Sequence, residues 1–204
     1  MTLGFDIDGV LAWFEPAYER IIAGVLKKDL FPWGAGRPPL AGVPVWDWPQ
    51  HFGYTDVEIK RVWAAIKSNE SFWLGLDETP EAATLRMMIH GLKREHDVYY
   101  ITNRTGVWAK WQTEMWVQLH ITDENPTVLL TAQKGAAAAT LGLDFYIDDN
   151  YDNVRDVQTK SHATRTYLLA RQYNLHPWLE GGVPVMRVGS LGDAFDQEIA
   201  AGTL

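Results

Sequence analysis

An α/β fold, a Rossmann-like parallel sheet with helices on both faces, follows from three features of this 204-residue chain. Short apolar runs rich in β-branched and aromatic residues alternate with helical stripes from residue 79 onward, the signature of strands joined by crossover helices. An isolated run of the same kind, Leu3 to Ile7, opens the chain and stops at Asp8-Gly9. Between the two, residues 15–78 break the alternation with helical and proline-rich segments, which predicts a small, mostly helical cap inserted after the first strand. The core is then 1–14 with 79–204, and the cap 15–78.

Leu3 to Ile7 reads as a buried strand with an acidic pair at its carboxyl end. Pro16 suits the first turn of a helix, and Ala17, Ile21 and Val25 continue its stripe toward Lys27-Lys28. Phe31 to Val45 is dense in proline and glycine and predicts an ordered loop. Thr55 with Glu58 forms a capping-box pattern ahead of Val57, Val62, Trp63 and Ile66, so a second cap helix runs to about Lys67.

Thr79-Pro80 supplies an N-cap and a first-turn proline for a helix ending at Lys93-Arg94. Asp97 to Thr102 reads as a strand, Val107 to Leu119 as a helix and Thr127 to Leu130 as a strand. Ala136 to Leu141 is helical by propensity, and Phe145 to Ile147 is a short strand ending at Asp148-Asp149. Arg165 to Leu169 and Val185 to Val188 follow as strands before a helix capped by Ser190. Ala170 to Gly182 carries no assignable feature.

Composition narrows the chemistry. Hydrophobic residues make up 47% and charged residues 22%, the balance of a globular protein. A formal net charge of -8 repels polyanions, so no stable nucleic-acid partner is expected, while a small phosphate ester stays compatible with a local cation. The absence of cysteine excludes disulfides, thiolate zinc sites and thiol nucleophiles. No apolar stretch could span a bilayer and no signal-like segment opens the chain, which predicts a cytoplasmic protein with no membrane partner; a homodimer is compatible with the sequence.

Four polar signals fall at or just beyond strand ends: Asp6 with Asp8, Thr102 with Asn103, Lys134, and Asp148 with Asp149. In open α/β sheets such positions converge on one crevice. Convergent carboxylates repel, and a hard divalent cation with oxygen ligands, Mg2+, is the expected means of holding them ionised. Phosphoryl transfer to a carboxylate needs a nucleophile, a proton donor for the leaving oxygen and positive charge around the phosphoryl oxygens. Asp6, Asp8 and Lys134 with magnesium can provide these, and the Thr102-Asn103 turn can add hydrogen bonds.

The segments Phe5 to Val10 (F-D-I-D-G-V), Tyr100 to Arg104 (Y-I-T-N-R), Lys134, and Tyr146 to Asn150 (Y-I-D-D-N) resemble, in order, the four motifs of the haloacid dehalogenase superfamily. Within it, Asp6 to Glu15, Phe72 to Leu76 and Asp148 to Asp152 are similar to the 5′(3′)-deoxyribonucleotidase family. The resemblance implies a magnesium-dependent phosphomonoesterase acting on deoxyribonucleoside monophosphates. Asp6 is then the nucleophile and a metal ligand, and Asp8 the general acid and base that also gives the metal its backbone carbonyl. Thr102, Asn103 and Lys134 become the phosphate-binding set, with Asp149 the favoured direct ligand and Asp148 direct or water-bridged. Asn150, Gly75 and Glu81 depart from the nucleotidase pattern, which bears on substrate identity.

Ten tryptophans are many for such a chain, and most should be core material. Phe14, Phe72 and Trp73 differ in standing at the two junctions between cap and core, where a nucleobase could stack, with Arg104 a further candidate contact to substrate. Trp46 and Trp48 are vaguer candidates. The six histidines lack ligand spacing. Rival readings are a polynucleotide-end phosphatase and a non-catalytic nucleotide-binding module of the same fold.

Overall fold

The computed structural model describes residues 1–27, 49, 53–174 and 184–203. The predicted loop from Phe31 to Val45, together with Trp46, Trp48, His51 and His176, lies outside them. Six parallel strands form one sheet in the order β5-β4-β1-β6-β7-β8: β1 (Thr2–Phe5), β4 (Asp97–Thr102), β5 (Thr127–Leu130), β6 (Phe145–Asp148), β7 (Arg165–Leu169) and β8 (Met186–Val188). β1 sits at the centre, with Phe5 opposite Tyr100 of β4 on one side and Ile147 of β6 on the other. The four inner strands β1, β4, β6 and β7 are short and largely buried, as expected where helices cover both faces, while the edge strands β5 and β8 are more exposed. Three carboxyl ends, those of β1, β4 and β6, therefore open side by side.

The crossover helices are α3 (Pro80–Glu95), α4 (Ala109–His120), α5 (Lys134–Leu141) and α6 (Tyr151–Lys160), and a further helix, α7 (Leu191–Ala200), follows the last strand. Their starts follow local chemistry in three cases: Thr79, Asn150 and Ser190 accept backbone N–H groups of the first turn. α5 instead begins two residues ahead of the alanine run, because its N-terminal cap is tertiary. The Gly135 N–H donates to Asp156 Oδ2 of α6 at 2.8 Å. A side chain at position 135 would meet the Asp156 carbonyl at 2.4 Å, so only glycine allows the two helices this close. That contact fixes Lys134 as the first residue of α5.

Between β1 and α3 lie α1 (Phe14–Leu26) and α2 (Asp56–Ser68), the latter opened by the Thr55–Glu58 capping box that its sequence predicts. A two-stranded antiparallel ribbon joins both junctions of this segment, β2 (Ala12–Trp13) against β3 (Asp77–Glu78). The apolar core runs without a break from Leu3, Phe5 and Ile7 through Leu85 and Ile89 to Ile22, Val62 and Ile66, so α1 and α2 share the core of the sheet. Among the described residues no helix is long and apolar enough to cross a membrane.

Candidate active site

β1 ends at Phe5, but the chain keeps its heading for one more residue, since the Asp6 N–H donates to the Ile147 carbonyl of β6 at 3.0 Å. It then folds back on itself. The amides of Val10, Leu11 and Ala12 all donate to the Ile7 carbonyl, at 3.2, 2.7 and 2.8 Å, with Gly9 at a positive φ of 83°. This tight turn leaves Asp6 buried at the end of the central strand and Asp8 at the edge of a cavity of about 340 Å³. Asp6, Asp8, Thr102, Asn103, Lys134, Asn150 and Asn153 form its polar lining, and Phe14, Trp63 and Trp73 its apolar wall. Residues 94 or more apart in sequence are thus brought together by the parallel topology.

Lys134 bridges two carboxylates, with Nζ 2.7 Å from Asp6 Oδ1 and 2.7 Å from Asp148 Oδ2. Burial alone would lower its pKa, but the charges of Asp148 and Asp6 outweigh burial and raise it, so the ammonium stays charged. The acids respond in the opposite sense. Burial, then the neighbouring Asp148 charge, pushes Asp6 well above the usual carboxylate range, with Lys134 opposing. Burial and Asp148 likewise push Asp149 up to about 8.

Oxygens of Asp6, Asp148 and Asp149 lie within 4.8 Å of one another. Three carboxylates face a single ammonium, and Asp6 Oδ1 receives no hydrogen bond of good geometry despite the close Lys134 contact. An all-oxygen, acid-rich donor set with an unsatisfied buried oxygen fits a hard divalent cation. The two acids that end β6 differ in availability. Asp148 Oδ1 accepts from the Asn150 N–H (2.8 Å) and Asn153 Nδ2 (3.2 Å), while its Oδ2 accepts from Lys134 (2.7 Å), the Tyr146 hydroxyl (2.5 Å) and Asn153 (3.2 Å). Asp149 accepts at its side chain only from the Tyr173 hydroxyl among the described residues.

Asp8 faces the other way. Its Oδ1 accepts from Arg104 Nη2 at 2.8 Å and its Oδ2 from Thr102 Oγ1 at 3.3 Å, with Arg104 Nε 3.1 Å from both. The Arg104 side chain has no exposed surface and lies 5.2 Å from the centroid of Trp73 and 5.7 Å from that of Trp116. Read from sequence as a substrate contact, Arg104 is in the fold a buried partner that holds Asp8, and it does not line the cavity.

The three junction aromatics also separate. Phe14 and Trp73 line the cavity, but Phe14 stacks on Tyr18 (5.1 Å), Trp73 (5.9 Å) and Trp63 (6.0 Å), and Trp73 carries Arg104 over its ring. Phe72 packs edge-on to Trp73 at 4.9 Å and is not part of the lining. Trp63 is the lining ring that is only half-buried. Its helical stripe position reads from sequence as core, so nothing there singled it out. Asn153 and Tyr173 carry no sequence signal either, and Tyr146, though inside the Tyr146 to Asn150 segment, has no role assigned by it.

No protein-family model matches this sequence, and no curated protein aligns with it significantly. Solved structures do resemble it. A haloacid dehalogenase family hydrolase of Deinococcus radiodurans R1, solved with bound phosphate and sodium, superposes with a TM-score of 0.60 at 15% identity, covering 100% of this chain and 96% of its own. A haloacid dehalogenase-like hydrolase of Burkholderia xenovorans LB400 gives 0.63 at 12% identity, with 98% and 96% covered. The hydrolase YfnB of Bacillus subtilis, solved with magnesium, gives 0.60 at 13% identity, with 96% and 97% covered. The described residues therefore have the haloacid dehalogenase-like fold, and the acidic cluster lies at the carboxyl ends of the central strands.

Proposed function

We propose that this chain is a magnesium-dependent phosphomonoesterase hydrolysing deoxyribonucleoside monophosphates, of the 5′(3′)-deoxyribonucleotidase type, through an aspartyl-phosphate on Asp6. The observation that carries the reading is the buried Asp6–Lys134 pair, 2.7 Å apart, beneath a cavity with one polar and one aromatic side. In the first step the Asp6 carboxylate attacks phosphorus, the ester P–O bond breaks, and the leaving oxygen takes its proton from Asp8. In the second, Asp8 takes a proton from water as the water oxygen attacks phosphorus, the bond to Asp6 breaks, and inorganic phosphate leaves.

Lys134 gives the phosphoryl oxygens positive charge, and Thr102 with Asn103 adds hydrogen bonds. Asp6, the main-chain carbonyl of Asp8 and Asp149 would hold magnesium, and Asp148, whose oxygens already accept several donors, would anchor Lys134 instead. When bound, the ion supplies the charge that lets a phosphate dianion approach a carboxylate. The aromatic wall suits a planar base, with Trp63 the ring that retains surface to offer.

Assay of a deoxynucleotide panel with magnesium and with chelator tests the reading, beside an Asp6→Asn variant that fills the same volume but cannot attack phosphorus. Turnover should vanish in the variant and in chelator while the fold survives. Near-normal rates in either would sink the covalent metal-assisted mechanism, and a panel in which nucleotides fare no better than simple esters would sink the substrate class.

A further inference from the structure

The turn after β7, Gln172–Asn174 with the preceding Arg171, grips the acidic end of the sheet from behind. The Tyr173 hydroxyl donates to Asp149 Oδ2. The Asn174 side-chain amide donates to the Asp149 main-chain carbonyl at 2.8 Å and to that of Leu169 at 2.7 Å. Arg171 reaches the first-strand loop, Nε to the Gly9 carbonyl at 2.8 Å and Nη2 to Glu81 of α3 at 2.8 Å. Tyr173 and Asn174 are each only 6% exposed.

Gly9 closes the third side. A Cβ there would lie 2.0 Å from Asp149 Oδ2 and 2.8 Å from the Tyr173 hydroxyl, so the Asp149 carboxylate is wedged between glycine backbone and phenol. One oxygen is committed to Tyr173, and the other accepts no hydrogen bond among the described residues.

We propose that Tyr173 is the positioning residue that makes Asp149 a one-oxygen ligand and thereby sets both affinity and ion choice at the acidic site. The inference rests on reading Asp6, Asp148 and Asp149 as a metal site. Magnesium demands near-octahedral geometry with short bonds, whereas calcium accepts carboxylates with both oxygens at longer range. A donor that occupies one oxygen and fixes the plane of the carboxylate therefore favours the smaller ion. Removing it leaves the carboxylate free to turn and to offer both oxygens.

The test is calorimetric titration of the full chain with Mg2+ alone and with Ca2+ alone, in wild type, Tyr173→Phe and Tyr173→Gln, alongside thermal melts in chelator. Tyr173→Phe should weaken Mg2+ binding by about 10–100-fold, the usual effect of losing a partner of a metal ligand. Ca2+ binding should fall less, so the preference for Mg2+ over Ca2+ shrinks. Tyr173→Gln keeps a donor and should lose less Mg2+ affinity than the phenylalanine variant; it carries the comparison with wild type if the latter does not fold. Unchanged affinity for both ions with a lower melting temperature would make Tyr173 a packing residue and overturn the proposal. Equal losses for both ions would overturn the ion-choice role. Wild type that binds neither ion would instead remove the metal reading itself, and this inference with it.

Discussion

Replacing Lys134 by methionine isolates the electrostatics of the site. The ammonium is 3% exposed and touches Asp6 and Asp148 at 2.7 Å each, so its loss leaves two buried carboxylates facing one another without their shared cation. Breaking a buried ion pair by deleting one partner costs about 3–5 kcal/mol. For a domain of this size each kcal/mol shifts the melting temperature by roughly 2–4 °C, which gives a drop of roughly 6–20 °C. The cost should depend on pH with a definite sign. The folded-state pKa of Asp6 already lies above its usual 3.8, so the native chain holds a proton there that the unfolded chain has released. Stability then falls as pH rises from that value. Without Lys134 the carboxylates repel more strongly once ionised, so the deficit of the variant against wild type should grow as pH rises and be larger at pH 8 than at pH 5. Urea denaturation of both proteins in chelator at the two pH values measures it. A deficit below about 1 kcal/mol, or one independent of pH, would refute the view that Lys134 screens paired acids.

Two further outcomes follow from the same geometry. A magnesium concentration about 100 times the dissociation constant at pH 9 should raise stability there by about 2.7 kcal/mol, and the same concentration should give a smaller increment at pH 6. The ion must displace protons from Asp6, raised well above the carboxylate range, and Asp149, raised to about 8. Melts at both pH values check this, and equal increments would count against binding at these acids. Trp63→Ala should lower kcat/KM for a deoxynucleotide about tenfold or more, since stacking on a base is worth about 1–3 kcal/mol. A base-free alkyl phosphate should lose little, and equal losses on both would return Trp63 to packing.

The site was legible in sequence to the extent that strand ends carried it. Asp6, Asp8, Thr102, Asp148 and Asp149 each sit at or just after a strand whose apolar run is plain, and a parallel sheet brings such positions to one edge. What escaped is what depends on contacts between distant segments. The β2–β3 ribbon has two residues per strand, too few for alternation to register. α5 starts at Lys134 because Gly135 is capped by Asp156, 21 residues beyond it, a partner that no local pattern announces. Arg104 closes the Tyr100 to Arg104 segment and so reads as a substrate contact, but in the fold it is buried and paired with Asp8, 96 residues away. The sharpest case is the turn at Arg171 to Asn174, which showed no periodicity, cap or motif. Its three side chains act on Gly9, Glu81 and Asp149, and their meaning exists only once the chain has closed on itself. The acids stand at the carboxyl ends of strands, whereas the phenol beside Asp149 arrives from a turn 24 residues further on. Motif reading therefore finds the acids of this site and misses the phenol behind them.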